Sequence, residues 1–512
     1  MTGKNKASEH RQGFTPLATV VSSLTGLKIR NPGRGETEVG RDVNPWRGAV
    51  ALSLLLISGI ASAKPEYRAL WVDTWNPGIL DAEQAKLTVS RAQNHNFNTL
   101  FVEVSKTMDA YYNSEMLPRA TNIQNGYDPL ATVLHYAKAP SGRTRPLEVH
   151  AWIVALRAWK DKPLPSTSLN PPHVMRKHPD WVSKNYRGAR FDDDNYFLDP
   201  GHPEVQDFIC AIAREIVSKY PVDGLHLDYI RYPGNQWGYN EVALKRFQQE
   251  LGRKDIPKPE DAEWSAWRRQ QVNNLVRRIS SEIHEIRPQV ELSAAAITWG
   301  DVPGGDFTKT RAYNDALQNW VGWMEAGYLD IAAPMVYKRS RDSLQARDFV
   351  DWVKLGNQTK SNRHFIAGLG AWFNPLSDTG RQVDVALKHG SEGVCFFSYN
   401  QLENTDRTSP YVLRDISGSI FKAPAPIPRA DWLERPTTGT LAGADPNRRG
   451  GYPVLLLDER GQKRAEIRTD ANGHFAFFGL PPGTWRAQVG RASILSEPVR
   501  IQRGKVSRAL FR

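Results

Sequence analysis

Between Tyr67 and Phe421 the chain alternates eight times between a short apolar run and a stretch of helical periodicity. The runs are rich in β-branched and aromatic residues, which is typical of buried strands. Eight alternations over roughly 350 residues favour an α/β fold of the TIM type, a (β/α)8 barrel with insertions. A doubly wound open sheet is the alternative, but no Gly-rich phosphate-binding loop follows the first run. The predicted strands are Arg68–Thr74, Thr99–Ser105, Leu147–Ala155, Gly224–Ile230, Glu291–Ile297, Asp330–Val336, His364–Gly370 and Gly393–Tyr399.

Two of the helical stretches have well-defined apolar faces. One begins at Pro203, where proline suits the first turn of a helix. The other spans Glu263–Ile286 and repeats aliphatic residues close to the helical period. It also carries the Arg pairs 268–269 and 277–278, which we expect on its solvent-facing side.

Composition excludes two classes of protein. The chain has 16 Trp, 17 Tyr and 18 Phe, whereas disordered chains are poor in aromatic residues. Two cysteines are too few for a disulfide scaffold or a Cys-rich zinc module. Cys210 falls in a helical pattern and Cys395 in a strand pattern, so we interpret both as small buried apolar residues. A disulfide between them is the alternative.

Residues 1–63 are expected to be an N-terminal extension that ends in a secretory signal peptide. Arg47 precedes the apolar run 49–60, and Ala61-Ser62-Ala63 closes it in the A-x-A pattern of a cleavage site. The run is too short to span a membrane comfortably, since a span needs about 20 apolar residues. A buried helix or a short membrane anchor is the alternative. We therefore expect an exported protein of the periplasm or cell surface, with no integral membrane span after cleavage.

The chain after the predicted signal divides into a barrel over residues 64–422, a proline-rich linker over 423–436 and a small β domain over 437–512. The stretches TDANGHFAF and LPPGTW resemble a carboxypeptidase-regulatory or transthyretin-like β-sandwich. Residues 424–512 carry 15 Lys and Arg against 8 Asp and Glu, so an anionic envelope polymer is a possible partner of this domain. Scattered solubility charges are the alternative. No nucleic-acid partner is expected, because no nucleic-acid motif is present.

Candidate catalytic residues lie where the predicted strands end, since TIM-barrel active sites are built at that face. In GLHLDYIRYP, Asp228 is the strongest candidate, and in FVEVS a carboxylate, Glu103, interrupts an apolar strand. The alternatives are structural ion pairs, of Asp228 with Arg231 and of Glu103 with Lys106 or Arg157. The substrate-binding candidates are Asp73, Trp152, Arg231, Tyr232, Trp299, Tyr337, Trp372 and Asn400.

This set of residue types favours a sugar substrate. Carboxyl groups can act as acid and base on a glycosidic bond, and aromatic faces stack on pyranose rings. The chain has no HxH or HExxH metal pattern and no G-x-S-x-G elbow. We therefore expect neither a metal nor a cofactor in the reaction.

From residue 67 to about residue 405 the chain resembles the glycosyl hydrolase-like 10 family of bacterial exported proteins. The resemblance rests, in order, on RALWVDTW, GYDPL, LEVHAWIVALRAW, DGLHLDYIRYPG, LSAAAITWG, IAAPMVY and GVCFFSYNQL. It implies a (β/α)8 barrel with a glycoside hydrolase role at the bacterial envelope. Carried over by motif, the fourth strand contributes Asp228 with Arg231 and Tyr232, the second Glu103 and the first Asp73.

The segment DGLHLDYIRYP is also similar to the chitinase motif DGxDxDxE. Asp223 and Asp228 match its first and last Asp, but His226 replaces the middle Asp and Ile230 replaces the catalytic Glu. A chitinase-type acid is therefore missing, and Glu103 is the predicted replacement. The expected function is hydrolysis of a β-linked, N-acetylated envelope glycan. Peptidoglycan glycan strands are the first candidate substrate. A catalytically inert glycan-binding or scaffold protein, and a hydrolase of another polysaccharide, are the alternatives.

Overall fold

The structure is a computed structural model that describes residues 64–511 apart from 139–145, 193, 403–408 and 491–493. The predicted signal peptide, residues 1–63, lies outside the described residues. No helix within the described part of the chain is both long enough and apolar enough to cross a membrane.

Eight parallel strands close into a barrel in which each strand pairs with its neighbours in the sequence and the last pairs with the first. This confirms the predicted TIM-type fold and excludes the open sheet. The strands are β1 (Tyr67–Val72), β2 (Thr99–Ser105), β3 (Glu148–Val154), β4 (Gly224–Asp228), β5 (Glu291–Ala296), β6 (Ile331–Pro334), β7 (His364–Gly370) and β8 (Gly393–Phe397).

Six of these strands end one or two residues earlier than the sequence pattern predicts. The fourth shows why: Tyr229, directly after β4, has a backbone φ of 48°. That conformation lies outside the extended region and stops the strand at Asp228. The polar residues expected at strand ends therefore begin the loops above the barrel.

Helices separate the strands and form the outer layer of the barrel. They begin at capping residues: Asp81 accepts a hydrogen bond from the Gln84 amide, and Asp261 accepts one from the Trp264 amide. The helices are α1 (Ala82–Asn94), α2 (Pro129–Lys138), α3 (Val174–Lys177), α4 (Pro203–Lys219), α5 (Glu241–Leu251), α6 (Ala262–Ile286), α7 (Arg311–Asn314), α8 (Trp320–Glu325), α9 (Ser343–Thr359), α10 (Leu376–Lys388), α11 (Ser409–Ser419) and α12 (Asp431–Glu434).

The expectation that the Arg pairs of α6 face solvent is wrong for three of the four residues. Arg268, Arg277 and Arg278 are all buried. Arg268 donates to backbone carbonyls, including that of Pro259 at 3.0 Å, which satisfies its charge inside the protein. Arg278 pairs with Glu282 at 2.7 Å on its own helix and with Asp470 at 3.3 Å in the C-terminal domain. Asp470 comes from a distant segment and Pro259 precedes the helix, so helical periodicity could not reveal these two partners.

The C-terminal region is a β-sandwich of two sheets around a separate apolar core. One sheet has the order β12-β9-β16, and the other has β11-β10-β13-β14 with β15 beside β13. The strands are β9 (Gly439–Ala444), β10 (Pro453–Leu457), β11 (Lys463–Arg468), β12 (His474–Leu480), β13 (Gly483–Val489), β14 (Ile494–Leu495), β15 (Val499–Ile501) and β16 (Val506–Arg508).

The β-sandwich packs against α4 and α6 of the barrel. The side-chain amide of Asn472 donates to the Pro203 carbonyl at 2.8 Å, and the Gln206 side chain accepts from the Ala471 amide at 3.1 Å. The proline-rich segment 423–436 also lies on the barrel, because Trp432 donates its indole N–H to the Asp330 carboxylate at 2.6 Å. The segment therefore contacts the barrel directly.

Both cysteines are free and buried, as the apolar interpretation predicts. Cys210 lies on the buried face of α4, and Cys395 packs inside the barrel from β8.

Candidate active site

The interior of the barrel is built by alternate residues of each strand. On β2 and β3, Phe101 and Trp152 point into the core, and the register pairs Glu103 with Trp152. On β4, the His226 ring stacks on Phe101 with centroids 4.3 Å apart. Two-residue alternation then places the next inward positions, Glu103 and Asp228, at the upper end of the barrel. This upper end, where the strands reach their carboxyl termini, is called the mouth.

Glu103 is buried at the mouth, with 1% of its surface exposed. Its Oε2 accepts two hydrogen bonds from Thr74, one from the amide and one from the hydroxyl, both at 2.7 Å. Burial raises the pKa of Glu103 to about 7, although Thr74 and the positive charge of Arg157 oppose that rise. The nearby negative charge of Asp73 adds to it. A carboxyl group with this pKa is protonated about half of the time at pH 7 and can then donate its proton.

Asp228 ends β4 and is 7% exposed. Its Oδ1 accepts the Tyr229 amide at 2.7 Å. Burial raises its pKa, but the charges of Arg157 and Arg231, the Tyr229 amide and the Trp152 indole all act in the opposite direction. The net result is a raised pKa for Asp228, and the surrounding cations and donors limit that rise.

Arg157 is the residue that links the two carboxyl groups. Its guanidinium stacks on the Tyr229 ring at 4.2 Å and donates to the Lys106 carbonyl at 3.2 Å. Its positive charge lowers the pKa of both Glu103 and Asp228. The sequence pattern predicted for Arg157 only an ion pair with Glu103. Arg157 is a cation three residues after β3, inside an otherwise apolar segment, and this feature of the sequence could have identified it as a site residue.

The sequence left open ion pairs of Glu103 with Lys106 and of Asp228 with Arg231. The main contacts of these two cations are made with other groups. Lys106 donates to the Thr74 carbonyl at 3.2 Å, and Arg231 donates to the Tyr232 carbonyl at 3.2 Å. Arg231 also lies over the Tyr229 and Trp299 rings, at 4.6 and 4.9 Å. Both cations are thus held by carbonyls and aromatic faces beside the carboxyl groups.

Four buried polar atoms at the mouth make no hydrogen bond of normal length and angle to a described residue, although the Trp152 indole lies near enough to Asp228 to lower its pKa. They are the indole Nε1 of Trp152, the Nε atoms of Arg157 and Arg231, and the hydroxyl of Tyr337. All four can donate a hydrogen bond, and a buried donor left unpaired costs free energy. Tyr337 lies close enough to Asp228 for that negative charge to help raise its pKa, after the larger effect of burial. A ligand rich in oxygen acceptors would satisfy this set.

A cleft of about 520 Å³ opens between the ends of β5 and β6. Trp299 and Tyr337 line it, together with Thr298 and Lys338. This volume falls in the range of small-molecule sites, and aromatic walls with a few polar groups suit a sugar ring. Two of the predicted aromatic candidates therefore share one cleft.

Trp75, in the loop after β1, forms an exposed aromatic rim beside the loops after β2 and β3, with 45% of its surface accessible. Three cationic groups face its ring: Lys106 at 4.6 Å, Lys160 at 4.8 Å and Arg157 at 5.7 Å. Trp75 is not among the binding residues that the sequence predicted.

Four other predicted binding residues make hydrogen bonds or ring contacts within the chain, and Trp372 and Asn400 remain partly exposed. Asp73 accepts from the Trp75 and Asn76 amides at 3.1 Å and from the Ser398 hydroxyl at 2.9 Å, so it fixes the loop after β1. The remaining three contact other parts of the chain. Tyr232 donates to Asp199 at 3.2 Å, Asn400 donates to the Pro77 carbonyl at 2.6 Å, and Trp372 packs edge-on against Tyr337 at 4.9 Å.

Comparison with known proteins identifies relatives along most of the barrel. A family model described as "Glycosyl hydrolase-like 10" matches residues 66–368. The chain is similar to glycosyl hydrolase YngK of Bacillus subtilis, with 28% identity over 405 residues that cover 73% of this chain and 75% of that protein. It is also similar to glycosyl hydrolase DigH of Escherichia coli, with 32% identity over 370 residues that cover 68% of this chain and 75% of that protein.

Among solved structures, the chain is similar in fold to the PgaB (BpsB) glycoside hydrolase domain from Bordetella bronchiseptica. The TM-score is 0.52 at 15% sequence identity, and the match covers 69% of this chain and 99% of that domain. This likeness shows a shared barrel fold.

Proposed function

Because the chain belongs to the glycosyl hydrolase-like 10 family, we propose that this glycoside hydrolase cleaves β-linked, N-acetylated glycan of the bacterial envelope, with peptidoglycan strands as its first substrate. The observation that carries the proposal is the set of unpartnered donors around Asp228, namely Trp152, Arg157, Arg231 and Tyr337. Sugar hydroxyls and acetamido carbonyls are acceptors that such donors bind.

Glu103 is proposed as the general acid and Asp228 as the nucleophile or charge stabiliser. Glycoside hydrolysis uses one carboxyl group to protonate the leaving oxygen and a second to act at the anomeric centre. The surroundings separate these roles. Burial, with a smaller contribution from the charge of Asp73, raises the pKa of Glu103 to about 7. Burial also raises the pKa of Asp228, but the charges of Arg157 and Arg231 and the nearby donors oppose that rise.

Export to the periplasm or cell surface is part of the proposal and rests on the A-x-A pattern at residues 61–63. The basic β-sandwich is proposed to bind an anionic envelope polymer. Several of its arginines form ion pairs, such as Arg449 with Asp445 at 2.7 Å, so any tether must use the remaining cations. The binding of the whole protein to envelope fragments should then weaken as salt increases.

The proposed substrate is tested by mass spectrometry of the products released from purified peptidoglycan, with and without its stem peptides. New glycan ends that disappear in Asp228→Asn are expected. The matched control is Asp199→Asn, because Asp199 is also a buried carboxyl but is held by Ser183 and Tyr232 away from the cleft. A wild-type protein that releases no products from peptidoglycan but cleaves another polysaccharide would overturn the substrate and leave the hydrolase assignment intact.

A further inference from the structure

The end of the barrel opposite the mouth, called the base, carries a second cluster of buried ionisable groups. Glu148 and His150 lie at the start of β3, and Glu291 is the first residue of β5. Gly224, the first residue of β4, lies between them. A Cβ at this position would come within 2.1 Å of the His150 Nδ1 atom. The missing side chain therefore makes room for the His150 ring to lie between the two glutamates.

Three polar atoms converge in this cluster. The Nε2 of His150 is 3.4 Å from Oε2 of Glu291 and 3.9 Å from Oε2 of Glu148. One ligand atom from each residue lies within 4.8 Å of the others. All three atoms are buried, His150 completely, and none has a hydrogen-bond partner of good geometry among the described residues.

We propose that Glu148, His150 and Glu291 bind one divalent transition-metal cation of the zinc type, which ties β3 to β5 across β4. Imidazole nitrogen and carboxylate oxygen are zinc ligands with bond lengths of about 2.0–2.2 Å. Two such ligands on one tetrahedral ion lie a little over 3 Å apart, so a separation of 3.4 Å suits a shared cation. A cation would also neutralise the two carboxylate oxygens that face His150, both of which are buried.

The groups behind the three ligands hold them in place. The Nδ1 atom of His150 is 3.3 Å from the Ser293 hydroxyl, which leaves Nε2 facing the carboxylates. The Tyr67 hydroxyl lies 3.4 Å from Oε1 of Glu291, the oxygen that does not face His150. Hydrogen bonds of this kind orient metal ligands and tune their basicity.

The site is structural because it lies away from the proposed chemistry. It is at the amino ends of the strands, and residues there contribute to stability in barrels of this type. The base is also covered. The His364 ring, 3.1 Å from the Tyr67 hydroxyl, packs against Trp432 of the segment 423–436 with centroids 4.7 Å apart.

Metal binding is tested on the whole mature chain, without an affinity tag, by equilibrium dialysis against Zn²⁺ followed by elemental analysis. One Zn²⁺ per chain is expected. Glu148→Gln and Glu291→Gln keep the side-chain shapes and should weaken binding at least tenfold. The control is His202→Gln, which changes the cluster formed by Asp180, His202 and Glu204 and should leave the stoichiometry at one. No stoichiometric zinc in the wild type, or its loss in His202→Gln, would overturn the proposal.

A second measurement needs no variant. X-ray absorption at the zinc edge of the loaded wild-type protein should show nitrogen and oxygen neighbours at about 2.0–2.2 Å, including a single imidazole. Two or more imidazoles, or a sulfur ligand, would place the metal elsewhere and contradict the assignment. Both measurements read the metal alone, so a failure of the proposed glycan substrate would not alter them.

Discussion

The mouth and the base of the barrel each hold a pair of carboxyl groups, but the surroundings differ. At the mouth, Glu103 and Asp228 lie near Arg157 and a group of buried donors that includes the Tyr337 hydroxyl. At the base, Glu148 and Glu291 share one imidazole under the segment 423–436. Buried charge alone therefore does not identify an active site. What sets the mouth apart is the group of buried donors and cations around Asp228, and on that ground we propose the mouth as the end that binds substrate.

The largest expected effect comes from removing either carboxyl group at the mouth. Glu103→Gln and Asp228→Asn should each lower kcat/KM at least ~10²-fold, because general acid–base groups contribute factors of this size. Circular dichroism and Tm should show folded variants, since an amide oxygen of Gln can accept the two Thr74 hydrogen bonds. Asp199→Asn should keep kcat/KM within a few-fold of wild type. Loss of activity in that control would remove the distinction between the mouth and other buried carboxyl groups.

The pH dependence should follow the proton on Glu103. Its pKa is raised from 4.5 to about 7, so kcat/KM should fall as the pH rises through 7 and the acid loses its proton. The folded state also binds this proton more tightly than the unfolded state. Its contribution to stability is present below pH 4.5 and is lost as the pH rises through 7. In Glu103→Gln, assayed on an aryl glycoside that needs little acid assistance, the alkaline limb should be absent.

A smaller effect is expected from one unpartnered donor. Tyr337→Phe removes a hydroxyl that makes no hydrogen bond to any described residue, so Tm should not fall. If the hydroxyl binds substrate, kcat/KM should decrease about tenfold, since a buried hydrogen bond contributes roughly 1 kcal/mol or more. Tyr232→Phe is the matched comparison. Its hydroxyl already donates to Asp199, so this change should lower Tm and spare kcat/KM. The reverse pattern would exchange the roles of the two tyrosines.

The smallest expected effect is at the rim. Trp75→Ala should raise KM about threefold on polymeric glycan, the size expected for one aromatic contact at an exposed site. The variant should leave kcat unchanged, because Trp75 is 45% exposed and does not contact the carboxyl groups through a hydrogen bond of its side chain. Oligosaccharides too short to reach the rim provide the control. An equal rise in KM on these would show that Trp75 acts inside the cleft.

The barrel could be predicted from the sequence because each of its strands is a local pattern. A run such as TLFVEVS contains its own evidence of burial, and β2 has the predicted bounds Thr99–Ser105. Glu103 and Asp228 could be selected for the same reason, since each is a carboxylate in or at the end of an apolar strand.

The contacts that decide a residue's role could not be predicted, because the partners are distant in the chain. Arg278 can be buried because it pairs with Asp470, which lies 192 residues later in the chain. Tyr232 follows Asp228 by four residues, yet its hydroxyl belongs to the Asp199 network. The base cluster matches no metal-binding motif in the sequence, because its third member, Glu291, comes from a strand far along the chain.

The assignment of Glu103 as the acid is tested most directly by titrating its carboxyl group. Infrared difference spectra of wild type and Glu103→Gln, recorded across pH in protein with isotope-labelled Glu, isolate that single group. A protonated carboxyl band that titrates near pH 7 and is missing from the variant is the predicted result. A Glu103 that is already ionised at pH 5 would contradict the proposed acid, and with it the division of roles at the mouth.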